Sequence, residues 1–189
     1  MKSGSGQPAK SGPTVDILVS CLLWRNERGI RTVLRHAIAE AGAATASEGD
    51  LAIVLSDEEA VRALNRHWRR KDQPTNVLSF PAVRRSGGPS NKRHGASKIG
   101  NRTTGTVVPD GPCCLGDIVI AYETAAREAK AEHKPLRHHV AHLAVHGFLH
   151  LVGYDHHADK EAATMESLEI AVLASIGIPN PYVARLPNG

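Results

Sequence analysis

The chain has 189 residues, 41% of them hydrophobic, which is enough for one domain with its own core. It contains no apolar run of about 18 residues and no apolar N-terminal stretch, so no membrane span or signal peptide is predicted and the expected compartment is the cytoplasm. Its three cysteines, Cys21, Cys113 and Cys114, have no Cys-x-x-Cys spacing and are expected to be reduced thiols.

The formal net charge of +4 is concentrated in one segment. No acidic residue lies between positions 82 and 109, whereas the rest of the chain is mildly acidic. The basic residues of this segment are Arg84, Arg85, Lys92, Arg93, Lys98 and Arg102. Such a segment attracts polyanions, nucleic acid being the commonest, but a solvated loop that keeps the protein soluble explains the charge equally well.

The first half of the chain is predicted to alternate strands and helices. After a disordered tail at 1–14, the predicted elements are a strand at 15–23, a helix at 30–46, a strand at 51–55, a helix ending near 68 and a strand at 76–80. Ser56, with Glu59 three residues later, has the pattern of a capping box and is predicted to begin the second helix.

The second half is predicted to be mostly helical. The segment 82–114 is rich in Gly and Pro and is predicted to be a loop. After it come a strand at 115–121, helices at 123–133, 135–152 and 158–176, and a tail at 179–189. Because strands mostly precede helices, we predict a single α+β domain over 15–178, with a small mixed four-stranded sheet and about five helices.

A group of histidines in this half indicates a metal site. Eight of the eleven histidines lie between positions 133 and 157. His146 and His150 are four residues apart, so they project from one face of the predicted helix. Gly153 allows the chain to turn after that helix, and His156 can return toward the same point as a third ligand. Three imidazoles with an open fourth position are typical of a catalytic zinc site.

Two other histidines compete for this assignment. His142 continues the same row one turn earlier, and His157 competes with His156 for the third position. The spacing also matches the long zinc-protease signature, but the general-base Glu that follows the first His of that signature is replaced by Gly147. A protease without that carboxylate lacks its proton shuttle.

Four sequence blocks resemble the YbeY family of bacterial metal-dependent endoribonucleases, the rRNA maturation factors. They are H-G-F-L-H-L-V-G-Y-D-H at 146–156, P-T-N-V-L-S-F-P at 74–81, L-G-D-I-V-I-A at 115–121, and Met165-Glu166 with Glu169 in the last helix. The chain differs from the family pattern by a basic, Gly- and Pro-rich insertion at 84–112 and by a longer N-terminal tail.

The resemblance implies one zinc ion bound by His146, His150 and His156, although imidazole ligands suit several divalent ions. It also implies single-strand-specific endoribonuclease activity in 16S rRNA 3′-end maturation and ribosome quality control. The implied partners are single-stranded RNA, rRNA and the ribosome, with ribosomal proteins as further partners. A catalytic arginine is implied at Arg69, with Arg70 as the neighbouring alternative.

Several roles remain alternatives at this stage. A zinc-stabilised, non-catalytic assembly factor and a zinc metalloprotease are the competing functions. Asp155 is predicted either to orient an imidazole or to cap a turn. Trp68 is predicted to be half-buried and to anchor a helix end rather than to stack on bases. Glu166 and Glu169 are assigned only packing and solvation.

Overall fold

The computed structural model describes residues 12–82, 113–156 and 158–183. Several predictions concern positions outside the described residues: the tail at 1–11, the basic insertion at 84–112, the alternative ligand His157, and the C-terminal tail from 184. Within the described residues, no helix is both long enough and apolar enough to cross a membrane.

The fold class predicted from the sequence is confirmed. The strands are β1 (Thr14–Val19), β2 (Asp50–Ser56), β3 (Val77–Pro81) and β4 (Cys114–Ala121). The helices are α1 (Ile30–Thr45), α2 (Glu58–Arg69), α3 (Tyr122–Ala131), α4 (Leu136–Leu151) and α5 (Asp159–Ser175), with a short 3₁₀ helix at Leu22–Asn26. The described residues therefore form an α+β domain with five α-helices and one four-stranded sheet.

The sheet has the strand order β1-β2-β4-β3. The first three strands are parallel, and β3 runs antiparallel to β4 at one edge. Alternate side chains of a strand point to opposite faces. One face forms the main core with α1, α4 and α5, whereas the other packs on α2 through Val61 and Leu78. The edge strand β3 thus separates α2 from α4.

Two local predictions were wrong because contacts distant in sequence decide them. The first strand ends at Val19 rather than at position 23, because the chain turns to bury Trp24, whose indole N–H donates to the Ser56 carbonyl at 2.8 Å. Ser56 is the buried last residue of β2. The N-cap of α2 is instead Asp57, whose carboxylate accepts the Ala60 N–H at 2.8 Å.

Helix α4 runs along β3 in the same direction. The Glu128 carboxylate contacts both Asn76, the residue before β3, and His139, in the first half of α4. Further on, a side chain at Gly147 would meet Ser79. From His139 to Gly147 the helix rises about 12 Å, and from Asn76 to Ser79 the strand rises about 10 Å. The two elements therefore run side by side over this length. The last turns of α4 therefore lie at the Pro81 end of β3.

Candidate metal centre

Helix α4 presents two imidazoles to each other. It is buried on most of its surface, and the row that contains His146 and His150 is among its partly accessible positions. The spacing of four residues stacks these side chains one turn apart. Their Nε2 atoms are 3.2 Å apart. Two imidazole ligands of one tetrahedral zinc ion are expected roughly 3.3 Å apart, given Zn–N bonds of about 2.0–2.1 Å.

The turn after α4 brings the third imidazole to the same place. Gly153 has φ +95, as the sequence predicted, and its N–H donates to the His150 carbonyl. The Tyr154 N–H returns to the Leu149 carbonyl at 2.9 Å, which fixes the reversal. Ligand atoms of His146, His150 and His156 then lie within 4.8 Å of one another, and together they could hold a metal ion.

The hydrogen bonds of the two helical imidazoles fit metal binding. His146 Nδ1 donates to the Glu169 carboxylate at 2.8 Å, and His150 Nδ1 donates to the Tyr154 carbonyl at 3.0 Å. Both partners only accept, so each Nδ1 carries the proton and each Nε2 of the neutral ring presents a lone pair. Two lone pairs at 3.2 Å repel each other unless a cation lies between them. The donor set therefore fits a divalent ion such as zinc.

Burial keeps His150 in the form that a metal requires. Removal from water is the main cause that lowers the pKa of His150, and the neighbouring His146 and His156 imidazoles lower it further. A neutral imidazole offers its lone pair to a metal, whereas the protonated ring cannot bind one. The environment thus favours metal binding at neutral pH.

Glu169 on α5 holds the His146 ring of the cluster through a hydrogen bond. The residue is 0% exposed, and its carboxylate accepts hydrogen bonds from His146, from His142 at 3.0 Å and from the Tyr182 hydroxyl. Burial by itself raises the pKa of Glu169, but the three hydrogen bonds outweigh burial and lower the pKa to about 2. The carboxylate is therefore ionised and fixes the His146 ring, as acidic partners of metal-binding histidines commonly do.

His142 is turned away from the cluster, because its Nε2 is bonded to Glu169.

Gly147 explains why no protease base stands beside His146. A Cβ at this position would lie 2.9 Å from Ser79 Oγ and 3.0 Å from an Ile118 methyl group. Position 147 thus faces the sheet, and it leaves no space for a glutamate.

The family model described as Endoribonuclease YbeY matches residues 23–177. The chain belongs to this family. A relative from Nitrobacter hamburgensis, named Endoribonuclease YbeY, is 47% identical over 92% of this chain and 84% of its own length. Relatives of the same name from Nitrobacter winogradskyi and a Bradyrhizobium species are 49% and 41% identical, covering 90% and 94% of this chain and 82% and 97% of their own lengths.

Outside the histidines, two arginines singled out by the YbeY resemblance lie at the end of α2. Arg69 is the exposed last residue of α2, and no hydrogen bond or ion pair within the described residues holds its guanidinium. Arg70 follows with φ +59. Asp155 accepts the backbone N–H of His156 at 2.8 Å, as a turn cap does, and the same oxygen lies 3.7 Å from Nδ1 of the His156 ring.

Sequence reasoning assigned Glu169 only packing and solvation and missed its contacts with the histidines. A signal was present, because Glu169 shares one face of α5 with Met165, Val172 and Leu173, all of them buried. An acid in an otherwise apolar helix row is rarely buried without a partner. Its place in the YbeY resemblance pointed to the same position, but the partner itself lies on another helix.

Proposed function

We propose that this chain is a single-strand-specific, metal-dependent endoribonuclease of the cytoplasm. Its proposed role is maturation of the 3′ end of 16S rRNA and ribosome quality control, with rRNA, the ribosome and ribosomal proteins as partners. The observation that carries the proposal is the convergence of His146, His150 and His156, in a chain that belongs to the YbeY family.

We assign one zinc ion to these three imidazoles. The donor set supports it, since the two helical rings point their lone pairs at each other and a third ring stands beside them. When bound, zinc supplies Lewis acidity toward the phosphodiester. Glu169 and the Tyr154 carbonyl hold the rings in place, and the half-exposed His156 leaves the cluster open for RNA to approach from solvent.

We assign Arg69 to stabilise negative charge that develops on the phosphate. A guanidinium can donate two parallel hydrogen bonds to phosphate oxygens. Two observations support this assignment: its donors are not held by described residues, and it adjoins Trp68, which contacts β3 at Phe80. Because α4 and β3 run together, that contact lies at the same end of β3 as the histidine cluster.

The two competing functions make different demands on the site. A metalloprotease needs a carboxylate where Gly147 packs on Ser79. A purely structural zinc site needs a fourth protein ligand, for which the sequence offers His142 and His157. His142 is engaged by Glu169, and His157 lies outside the described residues. The endoribonuclease proposal needs neither.

Metal analysis combined with cleavage of single-stranded RNA and of a peptide tests the proposal. The wild-type protein should bind one zinc ion, cut RNA until a chelator is added, and leave the peptide intact. Arg69→Ala should retain zinc and lose roughly 10²–10³ in kcat, the usual cost of one charge-stabilising donor. Arg70→Asn is the matched control, since asparagine tolerates the positive φ of that position.

The outcomes separate the alternatives. Zinc-loaded protein that never cuts RNA but unfolds on chelation would support the structural role and reject the nuclease. Equal activity of the Arg69 and wild-type proteins would remove Arg69 from the mechanism, while loss of activity in Arg70→Asn alone would move the role by one residue.

A further inference from the structure

Trp68 is partly buried at the end of α2, in line with the predicted anchoring role, but more than half of it remains exposed to solvent. Its side chain is 57% exposed at the end of α2, whereas the other tryptophan, Trp24, is 1% exposed. Trp68 packs edge to face against Phe80 of β3, with ring centroids 6.0 Å apart, and against His67 at 5.1 Å. Tryptophan is enriched at interfaces, where one part of the ring is packed and the rest remains available to a partner.

The surroundings of these rings are positively charged. The last turn of α2 carries Arg66 and Arg69, and Arg70 and Lys71 follow it. Asp72, the acid nearest in sequence, is paired with Arg62 at 2.7 Å, and that hydrogen bond lowers the pKa of Asp72. An exposed aromatic platform in a surrounding with more cations than acids is complementary to a single-stranded nucleic acid, which offers flat bases and phosphates.

The platform and the histidine cluster flank one strand. Ser79 faces α4 beside Gly147, so its neighbour Phe80 points to the other face of the sheet, where it contacts Trp68. Since β3 is the edge strand, no further strand of the described sheet stands between the two faces there. A flexible strand that crosses this edge can reach both sites.

We infer that Trp68, supported by Phe80, stacks on a base of single-stranded RNA whose backbone crosses the β3 edge toward the histidine cluster. The inference rests on the proposed endoribonuclease function and adds an RNA subsite to it. Stacking is indifferent to base identity, whereas it requires unpaired bases, so this subsite contributes to the preference for single strands.

Binding of a short, fluorescein-labelled, single-stranded 2′-O-methyl RNA to the zinc-loaded full chain tests the inference. Trp68→Ala should weaken binding roughly 5- to 150-fold, the range for loss of one stacked base, and Trp68→Phe should retain most of the affinity. The salt dependence should be unchanged in Trp68→Ala but should fall by about 0.7 in slope in Arg66→Ala, since only the arginine contacts phosphate. RNA should also change the tryptophan fluorescence of the wild-type protein but not that of Trp68→Phe.

Leu22→Ala is the matched control, because Leu22 is 67% exposed and follows β1 at the opposite edge of the sheet. Equal affinity of Trp68→Ala and wild type, or an equal loss in Leu22→Ala, would overturn the inference. So would unchanged RNA affinity with lost binding of a ribosomal protein, which would make the platform a protein interface. Failure of the proposed function gives a different result, since wild-type protein would then bind the 2′-O-methyl RNA but would not cut the single-stranded RNA of the cleavage test.

Discussion

Helix α4 carries two sets of histidines whose hydrogen bonds are opposite. In the first half of the helix, Nε2 of His139 and Nε2 of His142 are hydrogen-bonded to the carboxylates of Glu128 and Glu169. In the second half, Nδ1 of His146 and Nδ1 of His150 donate to acceptors, and the two Nε2 atoms face each other. Residue type and helix are the same, so the available nitrogen is what distinguishes a candidate metal ligand.

The cause of this difference lies in the neighbouring elements. Glu169 serves both halves, since it accepts from Nε2 of His142 with one oxygen and from Nδ1 of His146 with the other. The Tyr154 carbonyl, placed by the Gly153 turn, sets the His150 ring in the same way. Four histidines of one helix thus form one pair that is bonded to carboxylates through Nε2 and one pair whose Nε2 atoms are available to a metal.

The largest expected effect is the contrast between His150→Ala and His142→Ala. His150→Ala should reduce zinc affinity by more than about 100-fold, because a residue that only hydrogen-bonds a metal ligand already contributes up to that much. The variant should lose RNA cleavage together with the metal. His142→Ala should keep one zinc ion per chain. Metal analysis after chelator competition measures both, with thermal unfolding to show that each variant is folded. Zinc loss in His142→Ala but not in His150→Ala would reverse the assignment of the two sets.

Glu169→Gln should have an intermediate effect. Glutamine keeps the shape but offers one acceptor oxygen, and its NH₂ group opposes an imidazole N–H. We expect zinc affinity to fall roughly 10- to 100-fold, measured by competition with a chromophoric chelator. Glu166→Gln, on the exposed side of the same helix, is the control and should bind zinc as the wild type does. Equal affinities would confine Glu169 to a packing role.

The smallest expected effect concerns the contact between His139 and Glu128 and the stability of the protein in acid. Burial raises the pKa of Glu128, but hydrogen bonds from His139 and Asn76 outweigh burial, so the pKa lies below the ordinary value of 4.5. A lowered pKa in the folded state stabilises the protein above the unfolded-state pKa, and this contribution is lost as the pH falls through the folded-state value. Thermal unfolding of wild type and Glu128→Gln should therefore differ at neutral pH and converge below about pH 4. Glu48→Gln is the control, because Glu48 is exposed. A constant difference across this range, or the same behaviour in Glu48→Gln, would contradict the prediction.

The sequence by itself determined the elements that depend on local pattern. Apolar periodicity gave four strands and five helices, the spacing of His146 and His150 gave a shared helix face, and Gly153 gave the turn, because each depends on residues within a few positions of one another. The YbeY resemblance named His156 as third ligand in preference to His157, and the described residues bring His156 to the other two.

Tertiary structure alone decided which groups these residues meet. The partner of His146 stands 23 residues away on α5, the turn that buries Trp24 depends on Ser56 in β2, and the exposure of Trp68 depends on how much of it Phe80 covers. Hydrogen bonding and burial are set by which elements pack together, and no local pattern specifies that. The histidine spacing therefore predicted a metal site, whereas packing against α5 determined which nitrogen atoms face it.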